Sequence, residues 1–319
     1  MHKRKLVITQ NLGNGLIDKI REIIPDWEII IGKEKSIWTD HLNEAEVIVS
    51  WKKEMEGMIS NQSKLRWLQA WSAGVNSLPL HELEAKNIHT TSANGVHAYP
   101  ISETIFALML ALTRKIHTYV KNQQTKIWDH AGLNLEIHGK TIAILGVGAI
   151  GKETAKIAKA FGMEVIGFRH SGKPEEYVDT MYTLEHLNDV LPQCDYVAVT
   201  LPYTKETHRL FGMEQFKLMK PSSFFINIGR GNIVVEQELI KALKDGEISG
   251  AGLDVFEIEP LNEGSPLWEL ENVIITPHTS GSTEHYTKRV IEDIFIPNLK
   301  SYVQGGTPAI NLVDYKKGY

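Results

Sequence analysis

Short apolar runs rich in β-branched residues alternate with longer segments of helical period along the whole chain. That alternation predicts an α/β fold built on parallel sheets. The first series of predicted strands is Leu6–Thr9, Trp27–Ile31, Ala45–Trp51, Leu65–Ala70 and Ile88–Thr91, with helices over Gly15–Ile24 and Pro79–Lys86. A run from Ile101 to Gln124 follows, apolar on nearly every side in its first half. Such a helix is usually sandwiched between packed bodies, and it reads as a spine joining two domains. A second series has strands at Thr141–Gly146, Glu164–Phe168, Tyr196–Leu201, Phe224–Ile228, Gly250–Val255 and Val273–Thr276. Helices are predicted over Ile150–Phe161 and Glu236–Lys244, and a last one over about Ser282–Gln304 that Pro297 should kink.

Composition narrows the class. A length of 319 residues suggests about two domains at roughly 150 residues each. With 42% hydrophobic and 23% charged residues the chain has the make-up of a soluble globular protein, and a formal net charge of -5 provides no basic field for nucleic acid or anionic lipid. The longest purely apolar run, Ile105–Leu112, falls well short of the ~20 residues a membrane span needs. The N-terminus runs directly into the Leu6–Val7–Ile8 strand and does not read as a signal peptide, so a cytoplasmic protein is expected. Cys194 is the only cysteine and reads as a small buried hydrophobe. His81, His89, His97, His117 and His208 show no metal-ligand spacing, and no metal is expected.

The sharpest local signal is Gly146–Val147–Gly148–Ala149–Ile150–Gly151, set between a strand pattern and a helix pattern. In that context GxGxxG is a dinucleotide fingerprint: the first glycine permits the turn and the second lets backbone N–H groups approach a pyrophosphate. The third allows helix and strand to pack closely. The next strand ends at Arg169–His170–Ser171–Gly172–Lys173, where NAD sites usually present a carboxylate to the ribose. With an arginine there and no acid, NADP(H) is favoured and NAD(H) is the alternative.

Three apolar strands carry polar groups at or just beyond their ends: Arg230 after Phe224–Ile228, Asp254 within and Glu257 and Glu259 after Gly250–Val255, then His278 after Val273–Thr276. Strand C-termini line the ligand crevice of a doubly wound sheet, so these groups are expected to converge. Arginine to clamp a carboxylate, histidine to supply a proton and glutamate to hold the imidazole form a coherent set for hydride transfer to a 2-oxo acid.

Several motifs at matching spacings carry a resemblance over essentially the whole chain: SAGVN at 72–76, NGVHAYPISE at 94–103 and GVGAIG at 146–151. After them come INIGRGNIVVEQELIKAL at 226–243, GAGLDVFEIEPL at 250–261 and TPH at 276–278. The chain resembles the D-isomer-specific 2-hydroxyacid dehydrogenases. The FRHS segment and the closing NLVDYKKGY look most like an NADP-preferring branch of 2-oxoacid (glyoxylate/hydroxypyruvate-type) reductases.

The resemblance implies two Rossmann-like doubly wound lobes with a cleft between: a flavodoxin-like substrate lobe of residues 1–99 plus 287–319, and an inserted dinucleotide-binding lobe of 100–286. It implies that Arg230 binds and polarises the 2-oxo acid, His278 is the acid/base and Glu259 its paired carboxylate. Asp254 would bond the cofactor's carboxamide. Ala149 and Ile150 would meet the phosphates, Gly146, Gly148 and Gly151 would form the fingerprint turn of the cofactor set, Arg169, His170 and Ser171 would meet the ribose phosphate, and Leu201, Pro202, Ile228 and Gly229 complete the set. The backbone of Ala73, Gly74 and Val75 would receive the substrate carboxylate. Asn76 stands where many relatives have aspartate and is given no role.

Trp51 and Met55 either wall the substrate pocket or pack between lobes. Trp128 lies where family members often form a dimer arm, at the interface or near the partner's pocket, and Tyr286 is read with the same alternatives. A homodimer is expected, with a small 2-oxo or 2-hydroxy acid as the ligand. Two other readings stand beside the reductase: a 3-phosphoglycerate dehydrogenase-like enzyme, and a non-catalytic nicotinamide-dinucleotide sensor that binds protein partners.

Overall fold

The computed structural model describes residues 3–75, 77–130 and 132–315; Asn76 and the last four residues of the closing motif lie outside the described residues. The chain divides into two compact units, Met1–Val96 with Thr283–Tyr319, and His97–Ser282.

In the first unit β1 (Lys5–Ile8), β2 (Glu28–Ile31), β3 (Val47–Val49), β4 (Trp67–Gln69) and β5 (His89–Thr91) form one sheet in the order β2-β1-β3-β4-β5. Every pair is parallel, so each link is a crossover and both faces are covered. Alternate residues therefore enter different cores. Leu6 and Ile8 meet Ile20, Ile291, Phe295 and Leu299 on one face, while Val7 meets Trp38, Leu42 and Met55 on the other. Met55 is fully buried there, which corrects its reading as a pocket wall: it is core of this unit.

The chain's last segment belongs to this unit. Phe295 stacks on Trp67 with ring centroids 5.0 Å apart. Tyr302 Oη donates to Glu46 Oε1 at 2.8 Å, and Arg4 donates to both Glu46 oxygens at 2.8 and 2.6 Å. The expected continuous helix is interrupted: it begins at Tyr286–Arg289, widens into a π-helical stretch at Val290–Phe295 and resumes at Ile296–Val303. Pro297 thus sits in the first turn of the resumed helix, where its missing N–H costs least.

In the second unit β6 (Thr141–Leu145), β7 (Glu164–Phe168), β8 (Thr180–Tyr182), β9 (Tyr196–Val199), β10 (Phe224–Asn227), β11 (Gly250–Leu253) and β12 (Val273–Ile275) form a sheet in the order β12-β11-β10-β9-β6-β7-β8. All its pairs are parallel. The order reverses between β6 and β9, the switch point at which open α/β sheets bind ligands. β8 was not expected, since a three-residue edge strand of partly exposed side chains leaves no apolar run.

The expected spine is two helices, Ala98–Thr113 and Ile116–Thr125, broken at Lys115, which has φ of +52°. The first helix lies within the second unit and covers its sheet, with Ile105, Leu108 and Met109 in one core with Ile142, Ile144 and Ile226. Ser102 Oγ lies 2.9 Å from Thr154 Oγ1, tying the helix to the fingerprint helix Ala149–Ala160. Its all-round apolar character is explained by the sheet beneath it and that helix beside it. Cys194 is fully buried, and burial pushes its thiol up to about 12. Among the described residues no helix is long and apolar enough to cross a membrane.

Candidate active site

The fingerprint turn follows β6 directly. Gly146 has φ of +105°, and a Cβ there would lie 3.0 Å from Leu201 N, so a glycine is required both by conformation and by the neighbouring strand end. A Cβ on Gly151 would stand 2.5 Å from Gly146 O, which is how closely the helix Ala149–Ala160 sits on the turn. Gly148 is different: a Cβ would meet nothing within 4 Å. Its backbone faces open space at the start of a helix whose first turn has neither a side-chain cap nor an acidic residue. Those are the features a pyrophosphate needs, and the residues present fit a dinucleotide. Leu201–Pro202 and Ile228–Gly229 follow the adjacent strands β9 and β10, and a Cβ on Gly229 would come 2.7 Å from Leu201 O. The strand ends expected to hold the cofactor therefore form one continuous edge.

Arg169 follows β7 and turns back over this loop, donating through Nε and Nη2 to Val147 O at 2.8 and 2.6 Å. His170 and Ser171 are exposed beside it. The expectation that this corner lacks a carboxylate is corrected by the fold: Glu175 comes back to Arg169, its Oε2 accepting from Nη2 at 2.6 Å.

At the other end of the sheet, β10, β11 and β12 are neighbours and parallel, so their C-terminal loops lie side by side. Asn227, buried at the end of β10, accepts from Gly229 N at 3.1 Å and donates to Arg230 O at 3.2 Å. This closes the turn that leaves Arg230 exposed, its Nη1 donating to Gly229 O at 2.6 Å. Gly231 presses the turn onto the next loop: a Cβ there would sit 1.9 Å from Phe256 C. Phe256 N donates to Glu259 Oε1 at 3.0 Å, and Glu259 Oε2 stands 2.6 Å from His278 Nδ1. An ionised carboxylate only accepts, so Nδ1 carries the proton and Nε2 is the ring atom turned away from Glu259. The His278 side chain is 49% exposed.

Asp254 is fully buried behind this pair. Its Oδ1 accepts from Thr276 Oγ1 at 2.6 Å and Thr279 N at 3.0 Å, and its Oδ2 from Ser280 N at 3.1 Å. These bonds bracket His278, whose φ of +53° lies in the left-handed region. A non-glycine residue held there costs of order 1–3 kcal/mol, a strain the surrounding bonds must overcome. Asn227, Thr276 and Glu175 did not stand out in the sequence; the only signal for the first two is a polar residue at the end of an apolar strand.

The residues expected to receive substrate lie in the first unit. Ser72 Oγ donates to Gly74 O at 2.6 Å, shaping the turn that contains Ala73, Gly74 and the buried Val75. Trp51 is half-buried and lines a cavity of ≈ 480 Å³ with Gln10, Lys52, Trp71 and Ser72. Tyr286 packs on Trp71 and its hydroxyl donates to Trp71 O. Trp128, in the second unit, is 97% exposed.

Comparison with known proteins identifies the family. Residues 106–280 match the family described as D-isomer specific 2-hydroxyacid dehydrogenase, NAD binding domain. A glyoxylate reductase of Thermococcus litoralis is 33% identical, with 98% of this chain and 97% of that protein covered. Among solved structures, a D-isomer specific 2-hydroxyacid dehydrogenase family protein of Aeromonas salmonicida superimposes with a TM-score of 0.81 at 31% identity, covering 98% of this chain and 100% of that one. A D-isomer specific 2-hydroxyacid dehydrogenase of Xanthobacter autotrophicus, solved with NADPH and MES, gives 0.80 at 26% identity and covers both chains fully, 100% of each. The chain belongs to the D-isomer specific 2-hydroxyacid dehydrogenase family and is an NAD(P)-dependent oxidoreductase.

Proposed function

We propose that the protein reduces small 2-oxo acids, glyoxylate and hydroxypyruvate first among them, and prefers NADPH to NADH. The observation that carries this reading is the 2.6 Å pair of His278 and Glu259, linked through Phe256 to the turn that presents Arg230. Bound reduced nicotinamide supplies the hydride. As the substrate's carbonyl oxygen gains negative charge, Arg230 stabilises it with a planar fork of donors. His278 delivers the proton from Nε2, and Glu259 stabilises the imidazolium through Nδ1. Ala73, Gly74 and Val75 of the first unit are assigned the substrate carboxylate, with Trp51 lining the neighbouring cavity. Gly146, Gly148, Ala149, Ile150, Gly151, Leu201, Pro202, Ile228 and Gly229 are assigned to the dinucleotide.

Preference for NADPH is supported by Arg169 at the end of β7 and by the NADPH complex of the Xanthobacter relative. His170 and Ser171 are assigned to the same phosphate. Assembly as a homodimer is part of the proposal, supported by the exposed Ile127 and Trp128. Loss of reduced-nicotinamide absorbance with a panel of 2-oxo acids tests the reaction. Turnover of glyoxylate or hydroxypyruvate, faster with NADPH, is expected; no oxidation with any 2-oxo acid overturns the reading.

A further inference from the structure

Glu175 makes contacts that the reaction does not require. Its Oε2 accepts from Arg169 Nη2 at 2.6 Å and lies 2.8 Å from Lys152 Nζ. Lys152 stands in the first turn of the fingerprint helix, and Arg169 is bonded to Val147 O in the fingerprint loop itself. All three charged groups therefore gather at one corner of the dinucleotide turn. Gly172 brings the carboxylate there: it has φ of +61° and its N–H donates to Arg169 O at 3.0 Å, reversing the chain after β7. The Glu175 and Arg169 side chains are only 17% and 23% exposed, so solvent screens this pair less than an ordinary surface pair. Hydrogen bonds from Lys152 and Arg169 hold the Glu175 carboxyl below the usual carboxylate range, so it is charged at neutral pH.

We propose that Glu175 sets the discrimination between the two nicotinamide dinucleotides, acting as a built-in anion that competes with a ribose 2′-phosphate for Arg169 and Lys152. This rests on the reading that Arg169 serves the adenosine ribose. A 2′-phosphate, with a charge of about -1.5 to -2 at neutral pH like other phosphate monoesters, must displace the carboxylate to reach both cations. A ribose hydroxyl need displace nothing, and Glu175 can accept its hydrogen bond as an NAD-type acid does. The carboxylate thus weakens NADP(H) binding while leaving NAD(H) binding intact or improved, and the native preference for NADPH is smaller than Arg169 and Lys152 alone would give.

The test compares the parent, Glu175→Gln, Glu175→Ala and Arg169→Ala. It uses steady-state kinetics with NADPH and NADH, and calorimetric titration with NADP⁺ and NAD⁺, which reads binding without turnover. Glu175→Gln keeps the shape and removes the charge. It should raise the NADPH-to-NADH efficiency ratio roughly 10-fold, the size of a partly screened charged hydrogen bond. The change should appear in KM and in the NADP⁺ dissociation constant, with kcat unchanged, and Glu175→Ala should move both in the same direction. An unchanged ratio in both Glu175 variants, or one shifted toward NADH, overturns the proposal. Arg169→Ala then separates the two ideas: a lowered ratio leaves Arg169 as the phosphate residue, whereas an unaltered one removes the cofactor reading as well.

Discussion

His278 Nδ1 stands 2.6 Å from Glu259 Oε2, and the residue carrying that imidazole holds a left-handed backbone at φ of +53°. The ring is thus positioned twice, by its carboxylate and by the conformation of its own loop. His278→Gln is expected to lower kcat by about 10²–10⁴, the usual share of a general acid. Glu259→Gln should cost less, roughly 10–10², since it loosens the ring but leaves it in place. Single-turnover rates alongside dinucleotide dissociation constants check this, and near-parental turnover in His278→Gln would remove the imidazole from the mechanism.

Arg230→Lys keeps a positive charge and loses the planar fork. Catalytic efficiency with the best 2-oxo acid should fall roughly 10²-fold, comparable to losing a principal donor to a developing oxyanion. Unchanged efficiency would mean that the guanidinium does not clamp the substrate.

Asp254→Ala strands three donors: Thr276 Oγ1, Thr279 N and Ser280 N. A stability loss of about 1–3 kcal/mol is expected by urea unfolding, the cost of leaving buried and half-buried donors unsatisfied. The folded fraction should also show reduced kcat, because the strained His278 loses the bonds on both sides. A stability loss with full kcat would confine Asp254 to structure.

Gly231→Ala places a methyl where Phe256 C already stands, 1.9 Å from the ideal Cβ position. The Arg230 turn must move away from the loop that carries Glu259. A loss of about 1–3 kcal/mol, typical of overpacking, should accompany a drop in kcat. Thermal unfolding and steady-state kinetics measure the two together.

Burial raises the Glu46 carboxyl, but hydrogen bonds from Arg4 and Tyr302 outweigh it and hold the group below its usual range. A carboxyl lowered in the folded state stabilises the protein above its unfolded pKa, about 4.3, and that contribution is lost as pH falls through the lower folded value. Glu46→Gln should therefore be less stable than the parent at neutral pH, by roughly 1 kcal/mol for this partly exposed pair. Below about pH 4 the gap should close, and urea titrations across pH will show whether it does.

Much of this was legible in the residues. Both series of strands declared themselves because parallel strands covered on both faces read as apolar runs, and the fingerprint did so because its glycines answer to backbone clashes. What escaped detection depends on contacts between distant or unpatterned positions. β8 is too short and too exposed to have a period. The break at Lys115 gave no signal, since the surrounding residues carry no glycine or proline to mark it. Glu175 has no sequence signal of its own, and only the reversal at Gly172 returns it to Arg169. Asp254 was visible as a polar residue after an apolar strand, but its three donors come from a different loop.

The sheet of the first unit draws part of its cover from the far end of the polypeptide: Ile291, Phe295 and Leu299 close over Leu6, Ile8 and Trp67. On the ribosome those strands emerge early and wait while all of His97–Ser282 is made, roughly 10–40 s at usual elongation rates. The contiguous unit has its whole sequence available before the discontinuous one does. The nascent N-terminal sheet must spend that interval with one apolar face only partly covered, a demand on chaperones that begins with the order in which the chain is written.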